Sequence, residues 1–156
     1  MSNNQFTVPS PPEGQDLAKT PMRFEATPIP VTDFDRAKAF YQQLGWRLDI
    51  DVRISDKLRA VQFTPPGSPA SIQFGPAGAA PLQRLIVVVE DIEAARAELV
   101  QRGIDVSEIW HGALGQPPEP GRDPEGRSYT SQASFTDPDE NRWVLQEVTE
   151  RIPGRV

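Results

Sequence analysis

The sequence predicts an α+β fold made of two βαβββ modules, curled as mixed β-sheet around a cavity. The first observation behind this is a duplicated phrase. Val31-Thr-Asp33-Phe-Asp-Arg-Ala37-Lys-Ala39-Phe40-Tyr41-Gln-Gln-Leu44-Gly45 recurs as Val89-Glu-Asp91-Ile-Glu-Ala-Ala95-Arg-Ala97-Glu-Leu99-Val-Gln-Arg102-Gly103, at an offset of 58 residues. A repeat of that length is a supersecondary unit used twice, and such units bury a common surface. The second observation is that short β-favouring segments, bounded by turn residues, follow each copy.

The elements follow in order. Residues 1–21 carry Pro9, Pro11, Pro12 and Pro21 among polar residues. Such a stretch buries too little apolar area to offset its ordering entropy, so it reads as a flexible arm. A strand then ends at Val31, and Asp33 offers its carboxylate to the free amides of a helix start. Phe34, Ala37, Tyr41 and Leu44 fall on one face of that helix. Gly45 stands where a left-handed C-terminal residue is wanted. Strands are expected at Arg47–Val52, Leu58–Phe63 and Ser71–Phe74, with Ser55-Asp56 at the first turn.

The second module opens with Leu82 to Val89, a continuous Leu/Ile/Val run of the kind expected for a strand buried on both faces. Asp91 caps the second helix, whose apolar face is Ile92, Ala95, Leu99 and Val100, and Gly103 closes it. Ile104–Trp110, Tyr129–Phe135 and Arg142–Val148 complete the set of strands. Residues 112–127 interrupt it with four glycines and four prolines in 16 positions, a density that sustains neither helix nor strand. A structureless loop of that length is either a lid over a pocket or a tolerated insertion. The domain is thus expected over 22–150, with module one at 23–76, module two at 82–149 and a tail at 151–156.

Composition removes several function classes. The net charge is −6 and the basic residues are interspersed with acids, so no basic stripe for nucleic acid exists. No apolar run approaches the length needed to cross a bilayer, so no membrane partner is expected. There is no cysteine, which removes disulfides, thiolate metal sites and thiol nucleophiles. His111 is the sole histidine, so imidazole chemistry uses that residue or none. The first residues lack the basic start and apolar segment of a signal peptide, which gives a cytoplasmic expectation.

The paired units, the phrase V-x-D-x-x-x-A-x-x-F-Y and the ending Phe135-Thr-Asp137-Pro138-Asp139-Glu140-Asn141-Arg-Trp143 together resemble the vicinal oxygen chelate superfamily. It comprises glyoxalase I, fosfomycin-resistance enzymes, extradiol dioxygenases and bleomycin-resistance proteins. The ending resembles the family's D-P-D-G-N turn, with Glu140 in place of its glycine. The resemblance covers about residues 23 to 149 and implies a homodimer and a cavity enclosed by curled sheet. In the family's enzymes the cavity holds a divalent metal on the first, fifth and eighth strands.

Counting from Asp33, Asp91 and Asp137 as the family does, those ligand positions fall on Ala26, Arg84 and Val144. Alanine and valine have no donor atoms, and arginine repels a cation. A slip of one or two residues would supply Glu25, Leu145 or Gln146 without completing a three-residue site. The expectation is therefore no metal cofactor.

Arg84 then stands at a cavity-facing position. It either clamps a ligand carboxylate or phosphate, or reaches solvent or an acid such as Glu25. Gln73 and Gln146, late in their strands, are candidates to orient a polar ligand, or simply solvent-facing amides. Trp110 and His111 sit where the Gly/Pro segment begins, and Arg127 and Tyr129 where it ends. His111 is either a general base or a structural residue. Trp46, Phe63, Phe74 and Trp143 read as core. Three functions remain open: a metal-free binding protein for a small, partly apolar molecule, a lyase, isomerase or dioxygenase with unusual ligands or using His111, and a structural module.

Overall fold

The computed structural model describes residues 10–112 and 115–152. Its first module runs β1 (Ala26–Pro30), α1 (Phe34–Gln43), β2 (Arg47–Ser55), β3 (Leu58–Thr64) and β4 (Ser71–Gly75). These strands form a sheet in the order β1-β4-β3-β2, with β1 parallel to β4 and the remaining pairs antiparallel. The second module runs β5 (Leu85–Val89), α2 (Ile92–Gln101), β6 (Trp110–His111), β7 (Glu119–Pro120), β8 (Ser131–Thr136) and β9 (Arg142–Glu147). Its sheet repeats the plan as β5-β9-β8-β6, with β7 added at the edge. Residues 10–24 are exposed, and the remainder of the predicted arm and residues 153–156 of the tail lie outside the described residues.

The helix boundaries follow from their caps. Asp33 accepts from the Arg36 amide at 3.0 Å and Asp91 from the Ala94 amide at 2.9 Å. Gly45 and Gly103 both adopt φ of +82°, which an L side chain takes only at a cost. The two helix ends also meet. A Cβ on Gly45 would lie 2.8 Å from the Arg102 guanidinium, and Gln43 donates to the Arg102 carbonyl at 2.7 Å. The repeated glycine thus ends each helix and lets the other helix end approach.

One core joins the modules. Ile29, Tyr41, Phe63, Ile72 and Phe74 of the first pack with Ile92, Ala133, Phe135, Trp143 and Leu145 of the second. Tyr41, on α1, fills the centre: its hydroxyl donates to Asp137 at 2.7 Å and accepts from the Trp143 indole at 3.0 Å. Asn141 adds a bond from its side-chain amide to the Pro30 carbonyl at 3.0 Å. The predicted Trp46, Phe63, Phe74 and Trp143 all belong to this core or pack against it.

Four expectations need correction. The Leu82–Val89 run forms a strand only from Leu85, and it is buried on one face: Leu85, Val87 and Val89 pack inward while Ile86 and Val88 are 46% and 40% exposed. Of Ile104–Trp110 only Trp110 joins the sheet, continuing into His111, because Ile104 and Val106 turn into the core instead of pairing. Tyr129 takes a positive φ of 69°, so the following strand starts at Ser131. Val100 is exposed, leaving α2 an inner face of Ile92, Ala95 and Leu99.

The Gly/Pro segment is also more ordered than composition implies. Glu119 pairs with His111 and Pro120 with Trp110. The Gly121 amide donates to the Ile109 carbonyl at 2.8 Å. An edge ladder two residues long tolerates proline, whose missing N–H faces away from the partner. No helix among the described residues is long and apolar enough to cross a membrane.

Candidate functional site

Inward alternation turns a second set of side chains to the opposite face of the second sheet, exposed at Ile86 and Val88 on β5 and covered at Val144 and Gln146 on β9. Ile86 and Val88 share that face with Val144 and Gln146, as the register Leu85↔Trp143 to Val88↔Gln146 requires; Arg142 continues it on β9, and Arg84 borders it just before β5. Gln132 stands beside Gln146, and Trp110 beside Gln132. Over this face lies a cleft of about 560 Å³, within the usual range for a small-molecule site. Its lining brings together Arg84, Trp110, Tyr129 and Gln146 from the predicted residues, and adds Gln132, Arg142 and Ile152.

The wall is fixed by its neighbours. The Gln146 amide donates to the Tyr129 carbonyl at 3.2 Å, and the Tyr129 hydroxyl accepts from the Ile152 amide at 3.0 Å. The Tyr129 amide donates to the Glu147 carbonyl at 2.8 Å. These bonds hold the left-handed backbone at Tyr129, a conformation costing about 1–3 kcal/mol for a residue of this kind. Gly112, Gly115, Gln116 and Pro118 complete the rim.

The segment after that rim is anchored. Arg122 reaches Glu147 at 2.8 Å, and the buried Glu147 carboxylate also accepts from the Ile92 amide at 3.0 Å, capping α2 from inside. Asp123 is a buried hub. It accepts from the Arg127 guanidinium at 2.8 and 3.0 Å, from the Arg127 amide at 3.1 Å and from the Thr130 hydroxyl at 3.1 Å. The Arg127 bonds hold the Asp123 carboxyl well below the usual carboxylate range.

Three predicted residues stand elsewhere. Arg127 is engaged with Asp123 and is absent from the cleft lining. His111 turns its Nδ1 to the Gly121 carbonyl at 2.7 Å and its Nε2 to Glu119 at 3.3 Å, so the ring braces the β6–β7 ladder. Gln73 lies on the first sheet, where its amide donates to Gln62 at 3.0 Å. Sequence reasoning missed Arg142 and Gln132. The signal was there for the first: Arg142 has the same strand parity as Val144 and Gln146.

A larger cleft of about 750 Å³ lies in the first module, between the start of α1 and the β2–β3 turn. Its charges balance: Asp33, Asp35 and Asp56 against Arg53, Lys57 and Arg59. Arg59 is already bound to Asp35 at 2.7 Å and Asp51 at 2.9 Å. The second-module cleft is the better candidate, since its polar groups converge with aromatic wall and contain no acid.

The residues present do not fit the metal that the superfamily resemblance implies. Ala26, Arg84 and Val144 offer no donor to a cation. The β9 carboxylate, Glu147, is buried against α2 and Arg122 instead of facing the cleft. Among the described residues no group of three or more His, Asp or Glu could hold a metal ion.

A family model described as Glyoxalase/Bleomycin resistance protein/Dioxygenase superfamily matches residues 23–145. Among solved structures, TnmS3, an antibiotic binding protein from Streptomyces sp. CB03234, is 26% identical with a TM-score of 0.61, covering 84% of this chain and 99% of its own. A superfamily member from Sphaerobacter thermophilus DSM 20745 is 26% identical with a TM-score of 0.59, covering 81% of this chain and 97% of its own. A lactoylglutathione lyase from Agrobacterium tumefaciens shares the fold at 17% identity and a TM-score of 0.57, covering 83% of this chain and 96% of its own. No curated protein sequence matches.

Proposed function

Because the chain belongs to the glyoxalase/bleomycin resistance protein/dioxygenase superfamily, we propose that it binds a small, partly apolar molecule in the second-module cleft without a resident metal. The observation that carries this reading is the lining itself. Trp110, Tyr129, Val144 and Ile152 supply flat and apolar surface, while Gln132, Gln146 and Arg84 supply a few orienting polar groups. Its likeness to an antibiotic binding protein supports sequestration as the class of activity. An enzyme using His111 has less support, because both ring nitrogens face groups of the β6–β7 ladder.

Chelator-dialysed protein should bind the uncharged fluorophore phenylnaphthylamine, and Trp110→Ala should weaken that binding. Binding that required restored divalent metal, or none at all, would reject the reading. Twofold homodimers are the commonest oligomers, and the exposed Ile50, Val52, Ile86 and Val88 give a partner apolar surface to cover. Sedimentation should therefore report about twice the 17.3 kDa chain mass, and a monomer at micromolar concentration would reject the dimer.

A further inference from the structure

We propose that the second-module cleft selects anions, with Arg84 and Arg142 forming a two-guanidinium clamp for a carboxylate, sulfonate or phosphate on the ligand. The inference rests on the cleft being the binding site. Arg84 and Arg142 each stand one residue before the paired Leu85 and Trp143 of adjacent parallel strands. They thus stand at the same end of these strands, Arg142 on β9 and Arg84 just before β5, and both line the cleft.

Charge makes this arrangement unusual for the chain. The sequence holds 22 acidic residues against 16 basic ones, yet the cleft lining has two arginines and no carboxylate. Several other arginines are neutralised: Arg59, Arg122 and Arg127 reach carboxylates at 2.7, 2.8 and 2.8 Å. Among the described residues neither Arg84 nor Arg142 has an ion pair, and the Arg142 bond to the Ser134 hydroxyl is long, at 3.4 Å.

Two cations lining one cleft with no acid among its walls repel each other. Retaining such a pair makes physical sense where an incoming anion relieves the repulsion. Guanidinium forks suit oxyanions in particular, since parallel N–H donors match paired oxygens. Cationic ligands would be repelled by the same groups.

The test uses two fluorophores with a common aromatic skeleton, anilinonaphthalene sulfonate and uncharged phenylnaphthylamine. They are titrated into wild type, Arg84→Met, Arg142→Met and the double variant, with a thermal melt of each ligand-free protein. Wild type should hold the sulfonate about tenfold or more tighter, as charge-assisted hydrogen bonds allow. Added salt should erode that advantage. Each substitution should weaken the sulfonate about tenfold, leave the uncharged probe within about twofold, and not lower the melting temperature. The opposite directions of affinity and stability separate a clamp from a structural arginine.

Equal affinities that ignore the substitutions would overturn the clamp and leave the cleft reading standing. Substitutions that lower the melting temperature and weaken both probes alike would show the arginines to be structural, overturning the clamp too. Failure of wild type to bind either probe would overturn both.

Discussion

Tyr41→Phe removes one oxygen atom from the junction between the modules and leaves the ring in place. The hydroxyl is buried and doubly used, donating to Asp137 at 2.7 Å and accepting from Trp143 at 3.0 Å. A hydrogen bond to a charged group contributes about 1.5–3 kcal/mol, and an indole N–H left buried without a partner costs about 1–3 kcal/mol. Asp137 keeps the Asn141 side-chain amide at 2.8 Å and the Asp139 and Asn141 backbone amides at 2.9 Å, which places the net loss near the lower end of the summed range. The expected destabilisation is roughly 3 kcal/mol, or a melting temperature lower by about 6–12 °C for a chain of this size. Urea unfolding should show a lower midpoint with an unchanged slope. Burial, and then the Asp137 charge, pushes the Tyr41 phenol far above its ordinary value. A raised folded-state value gives stability that is complete below about pH 10 and is lost as pH rises beyond it. The gap between wild type and variant should therefore be flat from about pH 6 to 9 and shrink above about 10. A loss below about 1 kcal/mol at neutral pH would refute the view that this hydroxyl ties the modules together.

Glu140 has φ of 67° in the turn before β9, a conformation that disfavours side chains by about 1–2 kcal/mol. After the added chain entropy of glycine, Glu140→Gly should stabilise by about 0.5–1 kcal/mol, and a loss in thermal melts would mean the glutamate side chain contributes. Asp123→Asn should destabilise the protein by about 2–4 kcal/mol at pH 7, because the Arg127 fork loses its charged acceptor. A depressed carboxyl gives stability present above the ordinary aspartate value and lost as pH falls through the folded one, so the difference from wild type should narrow below about pH 4. A difference that grew in acid would contradict the hub assignment.

The frame was legible because it is written in local chemistry. An aspartate that caps and a glycine that takes positive φ act within one helical turn, and the helices end within a residue of where Asp33, Gly45, Asp91 and Gly103 place them. Four cleft residues were legible for the same reason, since strand alternation projects Gln146 to that face, Arg84 lies where β5 begins, and Trp110 and Tyr129 flank the loop that rims it. Tertiary competition decided the rest. Ile104 and Val106 left the sheet for the core, and the Asp123 and Glu147 carboxylates gathered arginines and amides over distances that no spacing rule conveys. His111 illustrates the limit: its position beside the loop was clear, but what its ring touches depended on how Glu119 and Gly121 returned to it.

None of the residues lining the second-module cleft belongs to the core that joins the modules. The proposed binding surface and the joining core thus occupy different faces of the second sheet. Substitution at Arg84, Gln132 or Arg142 changes what the sheet meets without touching that core, whereas Gln146 also holds the Tyr129 carbonyl. On the proposed reading, a lineage using this scaffold could exchange one small molecule for another in single mutational steps at Arg84, Gln132 or Arg142, with little of the stability loss that usually restricts such drift.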